Sequence, residues 1–201
     1  MDHFTSFKSG KKQQFYTVIM RIISGKYKGR RITAPKNLPI RPTTDKAKEA
    51  LFNILQNRYY LPDLKILDLF TGSGGIAYEF ASRGSKDIQA VDAYFPVTKF
   101  VKKISNEFDF PIKVIKYDAQ KFLEKTTDTY DIIFADPPYD FDPEQLKKMV
   151  DTAFERNLLK KDGLFILEHI DRYQFDDHPY FLESRKYGLS KFSLFSPEKR
   201  Q

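Results

Sequence analysis

The 201-residue chain contains no cysteine, which excludes disulfides and thiolate metal sites. Its three histidines, His3, His169 and His178, stand at no familiar ligand spacing, so a metal-free protein is expected. Long apolar runs are also missing. The longest, such as "DIIFA" and "GLFILEHI", fall far short of the roughly 20 residues a membrane helix requires, so no membrane span is expected. The opening "MDHFTSFKSGKKQQFYTVI" lacks the apolar stretch and small-residue cleavage site of a signal peptide. Residues 1–19 read instead as a disordered extension or cloning remnant before a natural start at Met20. No internal repeat or low-complexity tract is present, and the length suits one domain with a small appendage. A cytoplasmic monomer is the expectation.

Positive charge is present in excess, and it is concentrated. The net charge is +7, yet residues 21–60 alone carry ten Lys/Arg against Asp45 and Glu49, and everything after residue 60 is slightly acidic. A basic N-terminal module on a near-neutral body is the footprint of a nucleic-acid partner; the bland alternative is a solvated basic face. Within that module "RIISGKYKGRRITAP" alternates short β-prone pieces with Gly25 and Gly29, which predicts a small hairpin carrying cations. Pro35, Pro39 and Pro42 then stiffen a linker. "TTDKAKEALFNILQNRYY" predicts a helix capped by Thr43 or Thr44, with Ala47, Leu51, Ile54 and Leu55 as its apolar stripe.

From Lys65 onward apolar strands alternate with helices, from "KILDLF" through "DIQAVD", "IKVIKY" and "YDIIFAD" to "GLFILEHI". Strands with no wet face, alternating with helices, predict an α/β fold: an open, mostly parallel sheet covered on both sides. The tail "YFLESRKYGLSKFSLFS" adds two strands around Gly188, an antiparallel pair at one edge.

Two stretches carry chemistry. The first strand ends in "DLFTGSGGIA", where Gly72, Gly74 and Ala77 fit a G-x-G-x-x-A fingerprint, and Asp92 follows 24 residues after Asp68. Glycines let a ligand approach the backbone, and a carboxylate at the second strand's tip grips a sugar diol. Asp118, after the third strand, reaches the rim of an adenine. Three acids at three successive strand tips indicate an adenosine-containing cofactor, against the plainer reading of a tight turn and helix caps. Asp68 bears on which cofactor: a pyrophosphate avoids a nearby anion, whereas the ammonium of S-adenosylmethionine is attracted to one.

The second stretch, "ADPPYDF", closes the fourth strand. Two prolines cannot continue a ladder, so the backbone turns out of the sheet and presents Asp136, Pro137, Pro138 and Tyr139 to the same crevice. An exocyclic amine on a planar ring is a poor nucleophile because its lone pair is delocalised. The Asp136 carboxylate and Pro137 carbonyl are placed to accept its two N–H bonds, and Tyr139 to stack on the ring. The plainer alternative is a Pro-Pro turn with a capping aspartate and a buried tyrosine.

"DLFTGSGG" followed by "DPPY" resembles the Rossmann-fold amino-methyltransferases that act on nucleobases. "MRIISGKYKGRRI", "RPTTDKAKEALFNIL" and "YGLSKFSLF" narrow the resemblance to the bacterial family that methylates guanine N2 in small-subunit (16S) ribosomal RNA, over Met20 to about Phe195. The resemblance implies a class I methyltransferase fold with a seven-stranded sheet, S-adenosylmethionine as cofactor and ribosomal RNA, in the small subunit or an assembly intermediate, as partner. It implies a basic hairpin and linker over 20–43 and a catalytic domain over 44–201. Asp68, Gly72 and Gly74 would hold the methionine end of the cofactor, Asp92 its ribose and Asp118 its adenine, with Phe70 and Ala119 also among the cofactor-binding residues. Asp136, Pro137, Pro138 and Tyr139 would form the catalytic base pocket. Arg21, Lys26, Lys28, Arg30 and Arg31 would contact RNA phosphate, with Arg41, Thr43, Thr44 and Asp45 near the target nucleotide. Asp92 departs from the glutamate of many relatives, a shorter reach to a ribose, and the residues before Met20 match nothing in the family.

Rival readings are an adenine-N6 or cytosine-N4 DNA methyltransferase, an NAD(P)-dependent oxidoreductase and a non-catalytic RNA-binding protein. The first normally needs a recognition domain to flip its base, and no such insert is visible. The second leaves "DPPY" unexplained, and the third leaves the three acids unexplained.

Overall fold

Between Lys65 and Phe195 the alternation of apolar runs and amphipathic segments folds as the pattern predicts. The computed structural model describes residues 18–36, 38, 43–188 and 190–198. Strands β1 (Val18–Arg21) and β2 (Arg31–Ala34) form an antiparallel ribbon, followed by helix α1 (Asp45–Gln56). The body then runs β3 (Lys65–Leu69), α2 (Gly75–Ser82), β4 (Asp87–Asp92), α3 (Phe95–Glu107), β5 (Ile112–Lys116), α4 (Ala119–Lys125), β6 (Tyr130–Ala135), α5 (Pro143–Glu155), β7 (Leu159–Ile170), β8 (Phe181–Tyr187) and β9 (Ser190–Phe195). The sheet order is β5-β4-β3-β6-β7-β9-β8, parallel from β5 to β7 and antiparallel where β9 joins β7 and β8.

Alternate residues of each central strand face opposite layers. Ile66, Ile132, Phe134 and Ile166 pack with α1, α2 and α3, while Leu67, Ile133, Phe165 and Leu167 pack with α4 and α5. The edge strand β5 is only half-buried, a departure from the expectation that no strand has a wet face, because no strand covers its far side. The order reverses at β3, whose two neighbours are β4 and β6. At such a switch point the loops diverge and leave a crevice at the carboxyl ends of the strands.

The ribbon is part of the body. Met20, Ile22, Ile32 and Ala34 are buried in the cluster that contains α1, α2 and α3. Glu79, fully buried on α2, accepts the backbone N–H groups of Ile23 (2.9 Å) and Ser24 (3.0 Å), and its Oε1 also receives Arg83. Ser82 adds three contacts: its carbonyl accepts Lys26 N–H at 2.7 Å, and its hydroxyl donates to the Ser24 carbonyl at 2.6 Å and accepts Tyr27 N–H at 3.0 Å. Gly25 makes that seam possible, since it has φ 82° and a Cβ there would lie 1.9 Å from the Ser82 oxygen.

Candidate active site

A cavity of about 560 Å³ lies at the switch point. Four loops bring their residues to it because four parallel strands end on the same edge. β3 delivers Asp68 and Phe70, β4 delivers Asp92, the turn after β5 delivers Asp118 and Ala119, and β6 delivers Asp136 to Tyr139. The pairing of β6 beside β3 places the Pro-Pro turn next to the glycine loop.

The loop after β3 is shaped by its own short contacts. Phe70 adopts φ 56°, a left-handed conformation that strains a bulky residue and concentrates at functional loops. Gly74 caps α2 at φ 81°, and a Cβ there would meet the Tyr78 ring at 2.4 Å. Asp68 is buried, with Oδ2 accepting the Thr71 hydroxyl at 2.6 Å. Burial pushes its carboxyl up to about 7, against the opposing pull of Thr71 and the Ala77 N–H. Asp92 accepts Gly72 N–H at 3.1 Å and Tyr94 N–H at 2.9 Å, and burial again raises its pKa. Asp118, exposed, accepts Lys121 N–H at 2.9 Å as the cap of α4. Each acid therefore has a local structural partner and also lines the cavity.

These groups fit a cationic adenosine ligand. Asp68 and Asp92 are held above the ordinary carboxylate range chiefly because burial penalises their anions, so a cation entering beside them recovers what burial takes away. A pyrophosphate would have the opposite effect.

On the far wall the "DPPY" turn is fixed. The Pro138 carbonyl accepts Phe141 N–H at 3.0 Å, closing the turn, so one of the two proline carbonyls is occupied. Among the described residues no donor reaches the Pro137 carbonyl. The Tyr139 hydroxyl lies 3.0 Å from Ser190 Oγ, which holds the ring against the edge of β9. Phe141 meets Phe70 edge-on at 5.3 Å, joining the two halves of the mouth.

The remaining expected residues divide. Thr43 lines the cavity and donates to Glu168 at 3.0 Å. Thr44 caps α1 through Ala47 N–H, and Asp45 pairs with Arg21 at 3.0 Å, so both do structural work beside the site. Lys26, Lys28, Arg30 and Arg31 are exposed on the ribbon, outside the cavity. Arg41 lies outside the described residues, as do residues 1–17. Sequence reasoning missed Lys48. This buried lysine on α1 lines the cavity and donates to the Arg21 carbonyl at 2.6 Å, and burial lowers its pKa. It also missed Tyr94, half-exposed at the rim, and Phe141, whose signal was an aromatic two residues past the tyrosine of the turn.

Comparison with known proteins bears on this geometry. The model of the family described as Conserved hypothetical protein 95 matches residues 20–196. The chain is 36% identical over 155 residues to "Putative rRNA methyltransferase YlbH" of Bacillus subtilis (strain 168), covering 75% of this chain and 82% of that protein. It is 35% identical to "Ribosomal RNA small subunit methyltransferase D" of Buchnera aphidicola subsp. Baizongia pistaciae (strain Bp) over 79% of each chain. Its fold matches the solved "Putative methyltransferase yhhF from Escherichia coli" with a TM-score of 0.76 at 25% identity, over 91% of this chain and all of that one.

Proposed function

Because the chain belongs to the Conserved hypothetical protein 95 family, we propose that it is a cytoplasmic, monomeric enzyme that transfers a methyl group from S-adenosylmethionine to guanine N2 in small-subunit ribosomal RNA. The observation that carries this reading is the convergence of three strand-tip carboxylates and the "DPPY" turn on one cavity, and the likeness to rRNA methyltransferases supports it.

The cofactor supplies an electrophilic methyl group on a sulfonium. Asp68, Phe70, Gly72 and Gly74 would hold its methionine end, Asp92 its ribose, and Asp118 with Ala119 its adenine. The protein's own part is to prepare the amine. Asp136 and the Pro137 carbonyl accept the two N–H bonds of N2, favouring a tetrahedral nitrogen whose lone pair is free of the ring. They also stabilise the positive charge that develops there, and the rigid turn holds them in place beforehand. Tyr139 stacks on the base, its ring fixed through Ser190. The exposed cations of the ribbon would contact RNA phosphate.

Labelled methyl transfer to three acceptors tests the reading: small ribosomal subunits from cells lacking this activity, their naked RNA, and duplex DNA. N2-methylguanosine after digestion of a ribosomal sample is the expected product. Label on DNA adenine or cytosine, or cofactor binding without transfer to any acceptor, would overturn it.

A further inference from the structure

A second recess, of about 470 Å³, opens between the ribbon and α3. Its floor is apolar, made by Ile32, Phe100 and Ile104, all buried. Its rim is cationic: Arg31 comes from β2, and Lys99 and Lys103 from α3. All three are exposed, and among the described residues none pairs with a carboxylate. Lys99 and Lys103 stand one helical turn apart, about 6 Å along the axis, the scale on which phosphates follow one another in an extended strand. Glu107, at the last turn of α3, is the single acid in the lining.

The recess adjoins the first cavity. Tyr94 and Val97 line the cavity, and Pro96, between them, lines the recess. The ridge formed by the start of α3 carries two exposed aromatics, Tyr94 (47%), which lines the cavity, and Phe95 (58%), with the Lys116 ammonium 5.7 Å from its ring centroid. Solvated rings of that size on a ridge are stacking surfaces for bases.

We propose that this recess is a second, non-catalytic nucleotide site, which takes an unstacked nucleotide of the RNA strand flanking the target. The inference rests on the reading of the first cavity as an RNA-methylating site. The base lies on the apolar floor, its phosphates lie on Arg31, Lys99 and Lys103, and the strand crosses the Tyr94–Phe95 ridge to reach the cavity. An apolar floor with a cationic rim matches a nucleotide, which is flat and apolar on its faces and anionic on its backbone. The site sets the distance from a recognised neighbour to the reacting base.

The test uses the full chain and naked small-subunit ribosomal RNA, with affinity measured from 50 to 200 mM salt. Each single-strand phosphate contact contributes about 0.7 to the slope of log affinity against log salt. The double variant Lys99→Gln/Lys103→Gln is therefore expected to lose about 1.4 of slope, so the wild type's advantage in affinity shrinks about sevenfold over that range. S-adenosylhomocysteine binding stays unchanged, showing that the fold and the cavity are intact. The matched variant Lys147→Gln/Lys148→Gln, on α5 across the sheet, keeps the wild-type slope. Crosslinking with 4-thiouridine-substituted RNA places adducts within residues 96–108. Unchanged slope in the α3 variant, equal loss in the α5 variant, or adducts only at residues outside the recess would each overturn the site. Wild type that binds RNA with the expected α3 dependence but transfers no methyl refutes the functional reading and spares the recess. Methyl transfer with no α3 dependence does the reverse, and absence of RNA binding refutes both.

Discussion

Asp68→Asn tests the electrostatics of the cavity directly. Burial lifts this carboxyl from 3.8 to about 7 in the folded protein. The folded state therefore retains a proton that the unfolded chain releases, and stability falls as pH rises between those two values. At about 1.4 kcal/mol per pH unit the upper bound on the loss is about 4 kcal/mol. Asparagine carries no charge and keeps one oxygen for the Thr71 hydroxyl, but it loses the second acceptor that serves Ala77 N–H. A net gain of about 2–3 kcal/mol above pH 7 is the resulting expectation. For a chain of this size that raises Tm by about 5–10 °C. The assay is thermal unfolding of cofactor-free protein from pH 4.5 to 8.5, wild type against variant. The two curves should lie close together at the acid end and diverge toward pH 7, and the variant should bind S-adenosylmethionine at least tenfold more weakly. Asp92 titrates in the same direction in both proteins, so its own burial largely cancels in the difference, which retains only its repulsion with Asp68. A difference that does not vary with pH, or a variant less stable than wild type at pH 8, would refute the idea that the site stores the cost of a buried anion.

Asp136→Ala should lower kcat at least 10²-fold while the cofactor dissociation constant moves less than threefold, because the lost group acts on the amine; equal loss of both in titration and turnover assays would count against that role. Arg30→Glu with Arg31→Glu should weaken RNA binding and reduce the salt slope by more than 1, measured by filter binding, and unchanged affinity would make the ribbon a solvated face. Gly25→Ala should destabilise the protein by about 3 kcal/mol or more, since it combines a left-handed φ of 82° with a backbone clash at Ser82. Calorimetry would show the loss, and RNA affinity should fall further than cofactor affinity as the ribbon detaches.

The alternation of strands and helices and the convergence of Asp68, Asp92, Asp118 and Asp136 were legible because they depend on local signals: apolar runs, turn residues and acids at strand ends. Facts that depend on distant partners were not. Lys48 sits on a helix whose sequence predicts an apolar stripe of Ala47, Leu51, Ile54 and Leu55. In the fold Phe52 is fully buried and Ile54 only partly, because α2 brings Phe80 to within 4.7 Å of Phe52. Lys48 is buried as well because its acceptor, the Arg21 carbonyl, arrives from the ribbon 27 residues earlier. No periodicity encodes that encounter. Glu79 likewise reads as the polar face of "GIAYEFAS", yet it is fully buried because backbone donors from Ile23 and Ser24 come to it across more than 50 residues.

Those long-range contacts have a functional consequence. An exposed basic hairpin on a flexible tether would hold phosphate without fixing where the next base falls. Here a buried carboxylate accepts two ribbon amides, Ser82 engages the ribbon three times, and the Tyr27 hydroxyl donates to the Phe108 carbonyl at 2.7 Å. Opening that seam would leave Glu79 buried with fewer donors, a penalty of about 1–3 kcal/mol for each group left unsatisfied. The cations of the ribbon are thereby held at a fixed offset from the "DPPY" turn. On the proposed RNA-methylating reading, the residues that looked like an appendage in the sequence supply registration for the base that enters the cavity.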